Sequence, residues 1–263
     1  MGYASDLTDE QWAVVEPVLT SASKRGPRHS GLRTVVDGLL YIAHTGCQWR
    51  YLPGEYGPWT RLWSQFRRWT RNRTWERLLA ALHAAVRRSV GRKTDTPTMV
   101  VIDPSLARGA SQGGPTFHDK GGPYGATKGA KKVIAVDTTG LPVAARVVPA
   151  SVSDGRCVEA LLADMMEAGT GGLLECVKTD LGVQVGTERR MAAAYGLRVE
   201  RLGRRGAKRG EFVPIPQAWK VEVAHGRLGR SRRLSKSFEK TSTSGTGWLQ
   251  VACVALVLNR FHK

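Results

Sequence analysis

The first third of the chain carries apolar residues at the spacing of helices. Between residues 32 and 43 they recur every three or four positions, and Gly46 follows where such a helix would end. Two later segments with the same spacing are centred on Trp63 and on Leu78. We interpret this part of the sequence, residues 1–92, as a small all-α domain that resembles a helix-turn-helix.

The start of the first helix can be read from its capping residues. Thr8 and Gln11 have the spacing of a capping box, and Leu7 with Trp12 has that of a hydrophobic staple. We therefore expect a helix to begin here and to end shortly after Pro17, because proline is tolerated only in a distorted last turn.

The period of the apolar residues changes beyond residue 98. Residues 93–98 are polar and rich in helix breakers, which predicts a linker. The rest of the chain, residues 99–263, is interpreted as one α/β domain with a mixed sheet and flanking helices. Its apolar runs predict strands at 99–103, 132–138, 142–148, 173–180 and 197–202.

The net charge of the chain indicates a polyanionic binding partner. Lys and Arg number 40 against 22 Asp and Glu, which gives a net charge of +18. Such an excess is typical of proteins that bind polyanions, so we expect nucleic acid as the partner and an anionic membrane as the weaker alternative. The N-terminus has no signal-peptide pattern, and residues 248–258, the most apolar segment, are fewer than the roughly 20 that span a bilayer. We expect a cytoplasmic, nucleoid-associated protein.

The cysteines do not change this expectation. Cys47, Cys157, Cys176 and Cys253 are scattered without a CxxC pair, which argues against a zinc finger and against a disulfide framework. Reduced thiols in a cytoplasmic protein are the simplest interpretation.

Three acidic residues are predicted to meet at one edge of the sheet. Asp103 ends the first strand, and Asp180 ends the fourth, which follows a helix and can therefore lie parallel to the first. Glu222, on the helix after the last strand, can approach from the side. Asp137 ends the second strand at the opposite edge and is interpreted as a turn residue.

Converging carboxylates repel one another unless a cation lies between them. Carboxylate oxygens suit Mg²⁺ or Mn²⁺, and two such ions about 3.5–4 Å apart can hold the attacking and leaving oxygens of a phosphoryl transfer. Because the charge predicts a phosphate-rich partner, the two arguments favour metal-dependent chemistry on DNA. Each acid taken singly is explained equally well as a residue that caps a turn or a helix.

Long stretches of the sequence also resemble a known family. They are LTDEQW and RTVVDGLLYIAHTGCQWRYLP, then VIDPSLARG and KGAKKVIAVDTTGLPVAARVVPASVSD, and finally PQAWKVEVAHGRLGRSRRLSKSFE. Together they are similar to insertion-sequence transposases of the insertion-sequence-five group. The resemblance implies a ribonuclease-H-like domain with a DDE triad of metal ligands, and the residues that match the triad are Asp103, Asp180 and Glu222.

The resemblance also implies an activity. It is that of a DNA transposase that binds terminal inverted repeats and target DNA, holds two Mg²⁺ ions with Mn²⁺ as substitute, and works as a homodimer. Pro104 stands where the family usually has Ser, Val223 where it has Arg, and Val183 in the segment where it has Tyr. These departures keep two alternatives open: a domesticated, sequence-specific DNA-binding protein, and a ribonuclease-H-like nuclease that cuts without joining.

Basic residues in four segments are candidates for contacts with DNA phosphates. Arginines on a helix that follows a turn are compatible with insertion into a major groove, although the core of a small helical domain is the simpler explanation of the neighbouring tryptophans. His225, one helical turn after Glu222, is expected to contact a ligand residue or DNA rather than the ion itself. The DNA-binding candidates are Arg61, Arg67, Arg68, Arg71, Lys128, Lys131, Lys132, Arg204, Arg205, Arg232, Arg233 and Lys236.

Overall fold

Helices form the N-terminal part of the chain, as the apolar spacing predicts. The computed structural model describes residues 2–21, 31–111, 114, 127–203 and 216–261. Arg204 and Arg205, two of the predicted DNA contacts, lie outside these ranges. The helices before the first strand are α1 (Asp9–Ser21), α2 (Leu32–Thr45), α3 (Trp59–Arg71) and α4 (Thr74–Ser89).

Local capping fixes the ends of α1 and α2. The backbone N–H of Gln11 donates to Thr8 Oγ1 at 3.3 Å, and the N–H of Thr8 donates to Gln11 Oε1 at 3.1 Å, so the predicted capping box is confirmed. Gly46 ends α2 with a φ of 71°, and its N–H donates to the carbonyl of Ile42. A residue with a Cβ is strained in this left-handed conformation, which explains the glycine.

In the described part of the chain, five strands form one mixed sheet in the order β3-β2-β1-β4-β5. The strands β1, β2 and β3 pair with one another in antiparallel fashion, whereas β4 runs parallel to β1 and β5 runs parallel to β4. The predicted α/β class, with a mixed sheet and flanking helices after a helical N-terminal region, is confirmed. The strands are β1 (Met99–Arg108), β2 (Gly129–Asp137), β3 (Pro142–Pro149), β4 (Cys176–Asp180) and β5 (Arg198–Leu202).

The strand β1 is longer than the sequence suggests. It was expected to end at Asp103, but it continues through Pro104 to Arg108 because it goes on pairing with β2. Proline is tolerated in a strand where one side has no partner. Val101 is the last residue of β1 that pairs with β4, so the missing N–H of Pro104 falls on a stretch with only one neighbouring strand.

Helices cover both faces of the sheet. One face packs against α5 and α6, and the other against α4, α7 and α8. None of the helices within the described ranges is long and apolar enough to cross a membrane. These later helices are α5 (Asp154–Glu167), α6 (Val185–Tyr195), α7 (Pro216–Leu228) and α8 (Ser242–Leu258).

The N-terminal helices and one face of the sheet share a single hydrophobic core around α8. Trp248 of α8 is 1% exposed, and its ring stacks on Phe66 of α3 with the ring centroids 4.5 Å apart. Next to it, a Cβ on Gly247 would lie 2.4 Å from Thr70 Oγ1, so only glycine allows α8 to approach α3 this closely. The predicted boundary at 93–98 is therefore a change of secondary structure within a continuous core, and the division into separate units stays a prediction.

Asp137 connects α4 to the sheet. Its Oδ1 accepts hydrogen bonds from the backbone N–H of Thr139 at 2.7 Å and from the Thr139 hydroxyl, as expected of a turn residue. Its Oδ2 accepts a hydrogen bond from Arg87 Nη1 at 2.6 Å and lies 3.3 Å from His83 Nε2. The side chains of Asp137, His83 and Arg87 are all buried. The interpretation of Asp137 as a turn residue therefore accounts for Oδ1 but not for Oδ2.

The pKa of Asp137 reflects these partners. Burial raises it, but the hydrogen bond and charge of His83 and the hydrogen bonds from Thr139 outweigh burial and lower it to about 2, from an ordinary value of 3.8. A lowered pKa in the folded state means that the ionised carboxylate stabilises the fold. That contribution is complete above about pH 4 and is lost as the pH falls from about 4 to about 2.

We predict that Asp137→Asn lowers the free energy of unfolding by about 3 kcal/mol at pH 7, because Arg87 keeps a buried charge without its partner. Urea unfolding measures the change. The control is Asp95→Asn, which removes the partner of Arg88 from an ion pair whose side chains are both 58% exposed. The control is expected to cost less than about 1 kcal/mol, and equal losses in the two variants would contradict the assignment.

Candidate active site

The parallel pairing of β1 with β4 places two predicted acids side by side. Val101 pairs with Lys178, and two residues further along each strand stand Asp103 and Asp180. Because parallel strands advance in step, the two aspartates lie at the same level of the sheet and on the same face. Asp180 is the last residue of β4, whereas Asp103 lies inside β1, which corrects the expectation that both residues end their strands.

Asp180 lies in a negative environment. Partial burial raises the pKa of its carboxyl group, and the charges of Asp103 and Asp154 raise it further. Hydrogen bonds from the backbone N–H groups of Gly182, at 3.1 Å, and of Val183 act in the opposite direction without cancelling the shift. The folded chain therefore holds carboxylates close enough to repel one another, an arrangement common at functional sites.

Asp154 is a member of this group that the sequence analysis did not single out. It is the first residue of α5, and its Oδ1 accepts a hydrogen bond from Lys131 Nζ at 2.9 Å. The same ammonium group donates to the carbonyl of Val152 at 2.8 Å. An aspartate in the first turn of a helix is common because it complements the helix dipole, so its position in the sequence gave no reason to select it.

The helix α7 brings His225 to Asp103. The Nε2 atom of His225 lies 3.1 Å from Asp103 Oδ2 and 3.2 Å from the backbone carbonyl oxygen of Asp103. Five residues earlier on α7, Lys220 donates to the carbonyl of Thr138, which ties this helix to the turn between β2 and β3. His225 is therefore in contact with one of the predicted ligands.

Glu222 is exposed on α7, one turn before His225. Within the described ranges, no three His, Cys, Asp or Glu side chains lie close enough together to hold a metal ion. The structure thus brings Asp103 and Asp180 together but does not assemble the predicted triad as a set of three ligands.

The residues present nevertheless fit a divalent cation. A Cβ on Gly182 would lie 3.2 Å from both carboxylate oxygens of Asp180 and 3.4 Å from Asp154 Oδ2. Glycine at this position thus lets the backbone pass close to the carboxylate oxygens of Asp180 and Asp154. Hard oxygen ligands of this kind suit Mg²⁺ or Mn²⁺, which are often held by one or two carboxylates and several waters.

Three of the predicted DNA contacts are engaged inside the protein. Lys131 is buried against Asp154, and Lys132 donates to the carbonyl of Leu234 at 3.4 Å, with a pKa that burial lowers. Arg233 pairs with Glu239 and lies over the ring of Trp248 at 5.0 Å. These three side chains make contacts that stabilise the fold. Their predicted contacts with DNA phosphates stay a prediction.

The other predicted contacts within the described ranges are exposed. On α3, Arg67 lies over the ring of Trp63 at 4.5 Å, and both residues line an open cleft of 430 Å³ together with Arg68 and Arg71. The predicted DNA contacts that are exposed are Arg61, Arg67, Arg68, Arg71, Lys128, Arg232 and Lys236.

We predict that Asp180→Asn stabilises the protein at pH 7 in buffer without divalent cations. The raised pKa of Asp180 means that the folded state disfavours its charge, so removing the charge relieves repulsion. The gain is expected to stay below about 1 kcal/mol, because partial exposure lets water screen the carboxylate. Urea unfolding tests this, with Glu159→Gln as a control outside the group, and a variant that unfolds at lower urea than the wild type would contradict the described repulsion.

Two protein families match the chain, one over the helical N-terminal part and one over the part that contains the sheet. Residues 7–79 match the family described as "Putative transposase of IS4/5 family", and residues 94–257 match the family "Transposase DDE domain". The second match covers β1 to β5 and α5 to α8, and so includes Asp103, Asp180 and Glu222.

Two curated proteins are similar to parts of the chain. The "Insertion element IS402 uncharacterized 16.2 kDa protein" of Burkholderia cepacia is 32% identical over 88 residues, which are 31% of this chain and 60% of that protein. The "Uncharacterized protein y4sN" of Sinorhizobium fredii is 28% identical over 118 residues, 44% of this chain and 86% of that protein. The chain thus spans less than two thirds of the length of the Burkholderia relative.

Two solved structures align with most of the chain at low similarity. The "Crystal structure of the Mos1 Strand Transfer Complex" gives a TM-score of 0.34 at 10% identity, over 92% of this chain and 79% of that one. The "Crystal structure of a pre-cleavage Mos1 transpososome" gives a TM-score of 0.25 at 8% identity, over 91% and 79%. Similarity at this level carries no argument about the function of the present chain.

Proposed function

This chain belongs to the family of transposases with a DDE domain, and we propose that it binds terminal inverted repeats, cleaves DNA and joins the freed ends to target DNA. The observation that supports this proposal most strongly is the register of β1 and β4. It places Asp103 and Asp180 at the same level of a sheet that lies within the family match.

In this proposal Asp103 and Asp180, with Glu222 from α7, hold Mg²⁺, or Mn²⁺ as its substitute. A bound divalent ion would polarise the phosphate and make a hydroxyl group a better nucleophile. Water attacks a phosphodiester of the transposon end and releases a 3′ hydroxyl, which then attacks a phosphodiester of the target DNA. Each step breaks one P–O bond and forms another, so no covalent bond between protein and DNA is needed.

Neighbouring groups hold the two aspartate carboxylates in position. His225 fixes the orientation of the Asp103 carboxylate, and the N–H of Gly182 holds one oxygen of Asp180. Asp103 pairs with Ile134 of β2 and lies two residues beyond the last pair between β1 and β4, so a continuous strand of the sheet carries it. Glu222 lies on the solvent side of α7, where DNA would approach.

The exposed arginines of α3 form the main surface that we propose for DNA. All four arginines of α3 are exposed, and Trp63 on the same helix is 37% exposed. Lys128, Arg232 and Lys236 are exposed and add positive charge, whereas Arg204 and Arg205 lie outside the described ranges and remain candidates from the sequence. A chain that pairs two transposon ends acts as a homodimer at least, and we propose that it does so on the bacterial nucleoid in the cytoplasm.

One observation favours a second function, that of a domesticated protein that binds DNA specifically without transposing. Within the described ranges Glu222 forms no group of three metal-holding side chains with the two aspartates, and Val223 stands where the family pattern has an arginine. A nuclease that cuts DNA without joining it is the third reading of the same residues.

We predict a metal-dependent product when the protein meets DNA that carries the inverted repeats flanking its gene. In Mg²⁺ or Mn²⁺, Asp103→Asn and Glu222→Gln are each expected to lower the rate of cleavage by at least about 100-fold, the upper end of the losses seen for residues that only support metal ligands. Gel analysis of nicked and joined products measures the effect, and Glu159→Gln is the matched charge control.

The products separate the three functions. Joined products that need Asp103 support transposition, and nicks without joining support the nuclease. Unchanged DNA affinity in Asp103→Asn together with no metal-dependent product in the wild type supports binding alone, and would contradict the proposed enzyme.

We predict that Arg67→Ala with Arg71→Ala makes DNA binding less dependent on salt. Each lost phosphate contact reduces the slope of log K against log salt by about 1. Fluorescence anisotropy at several salt concentrations measures the slope. Arg190→Ala, which removes an exposed arginine paired with Glu159, is expected to leave it unchanged, and equal slopes in all three proteins would exclude α3 from the DNA surface.

A further inference from the structure

We propose that a second basic surface, at the ends of α7 and α8, binds the phosphate backbone of the target DNA. Its basic side chains converge on one open cleft of 580 Å³, the α7–α8 cleft. The inference rests on the proposed function, because target DNA is a substrate of that reaction. None of these side chains is among the DNA contacts that the sequence predicts. They are Arg227 of α7, Arg230 in the turn after it, Arg260 just after α8, and His44 of α2.

The α7–α8 cleft carries an excess of positive charge. Among the described residues that line it, Asp6 is the one acidic residue, against three arginines. Both carboxylate oxygens of Asp6 already accept hydrogen bonds, from the hydroxyl of Tyr56 at 2.6 Å and from the backbone N–H of Tyr3 at 2.7 Å. An anion that enters the cleft therefore meets positive charge that Asp6 does not cancel.

The three arginines are available to an incoming anion. In the part of the chain that the structure describes, no ion pair and no side-chain hydrogen bond is found for Arg227, Arg230 or Arg260. The exposed Arg190 on α6, by contrast, is paired with Glu159. A guanidinium group has five N–H donors in a fork that matches the oxygens of a phosphate, so three such groups can hold several phosphates.

The form of the α7–α8 cleft favours an extended polyanion over a small ligand. Arg230, Arg260 and His44 are exposed, so the charges stand at the rim. Pockets for small molecules instead place their few polar groups inside. Cations at the rim that come from separate helices suit a chain of phosphates that crosses the cleft. The floor is aliphatic and is formed by the buried side chains of Leu40, Ala43, Ala252 and Leu258.

The lining of the α7–α8 cleft also favours target DNA over the terminal repeats. No Phe, Tyr or Trp side chain is among the described residues that line it, so DNA bases have no large ring to stack on. Contacts with phosphates position a duplex but do not read its sequence. A surface of this kind suits DNA whose sequence is not set by the transposon, which is the target.

The direction of α7 brings this surface to the candidate active site. Lys220, near the start of α7, contacts the turn between β2 and β3, which lies level with the start of β1. His225, further along α7, contacts Asp103. The helix thus runs beside β1 in the same direction, and Arg227 lies about 3 Å further along its axis than His225. A duplex on the cleft therefore passes the edge of the sheet that carries the two aspartates.

The proposed reaction needs two DNA surfaces, because a 3′ hydroxyl of the transposon end has to meet a phosphodiester of another duplex. The arginines of α3 are the surface proposed for the terminal repeats. The helix α8 holds the two surfaces apart. Its Gly247 lies against α3, whereas Ala255, about 12 Å further along the helix, lines the α7–α8 cleft.

The test is the binding of a second duplex to the full chain after the chain has been saturated with DNA that carries the inverted repeat. The second duplex lacks the repeat and carries a fluorescent label, so anisotropy reports its binding alone. The triple variant is expected to bind it at least about tenfold more weakly than the wild type, because three phosphate contacts are lost. This variant combines Arg227→Gln, Arg230→Gln and Arg260→Gln.

A matched control removes the same charge from exposed arginines away from the cleft. It combines Arg92→Gln, Arg189→Gln and Arg190→Gln, and it is expected to bind the second duplex like the wild type. Circular dichroism on heating verifies that each variant is folded. In Mg²⁺, the triple variant is also expected to lower the ratio of joined to nicked products at least about tenfold, because joining needs the target duplex and nicking does not.

Failure of this inference differs from failure of the proposed function. If the triple variant binds the second duplex like the wild type, or if the saturated wild type binds no second duplex, the inference is overturned. The proposed function then stands as long as nicked and joined products form.

If no metal-dependent product forms, the proposed function fails and the surface is tested by binding alone. The three substitutions in the cleft are then added to Arg67→Ala with Arg71→Ala. A further fall in the affinity for plain duplex DNA supports the α7–α8 cleft as a DNA surface, and an unchanged affinity overturns it.

Discussion

The parallel pairing of β1 with β4 is the constraint on which the candidate site depends. Only a short stretch of β1 takes part, yet it fixes Asp103 and Asp180 at one level and on one face. A slip of one residue would turn the carboxylate of Asp180 to the opposite face of the sheet. The fold accepts the resulting repulsion, seen in the raised pKa of Asp180, at the place where we propose that a cation is held.

The shared core around α8 gives this pair of strands a rigid frame. Trp248 packs on Phe66 of α3, while the other side of α8 covers β3. The helix α8 therefore contacts both the basic helix α3 and the sheet that carries the acidic site. Close packing sets the position of one relative to the other. Asp137 adds a second link, since its buried contacts with His83 and Arg87 join α4 to the sheet.

Much of this arrangement could be predicted from the sequence, because it follows from local patterns. The caps of α1 and α2, the strand order and the two aspartates rest on such signals. Side-chain contacts between distant segments, and the length of β1, could not be predicted. Pro104 suggested the end of a strand although only one side of β1 is paired there, Lys131 resembled a surface lysine although Asp154 holds it inside, and Asp154 resembled an ordinary first residue of a helix.

The most direct test of the central claim is to map where a divalent ion binds to the folded chain. Fe²⁺ in place of Mg²⁺, with ascorbate and peroxide, generates hydroxyl radicals that cut the backbone next to the bound ion. The account predicts cuts close to Asp103 and Asp180 that disappear in Asp180→Asn and on addition of excess Mg²⁺. Cuts at other positions, or cuts that persist in Asp180→Asn, would contradict it.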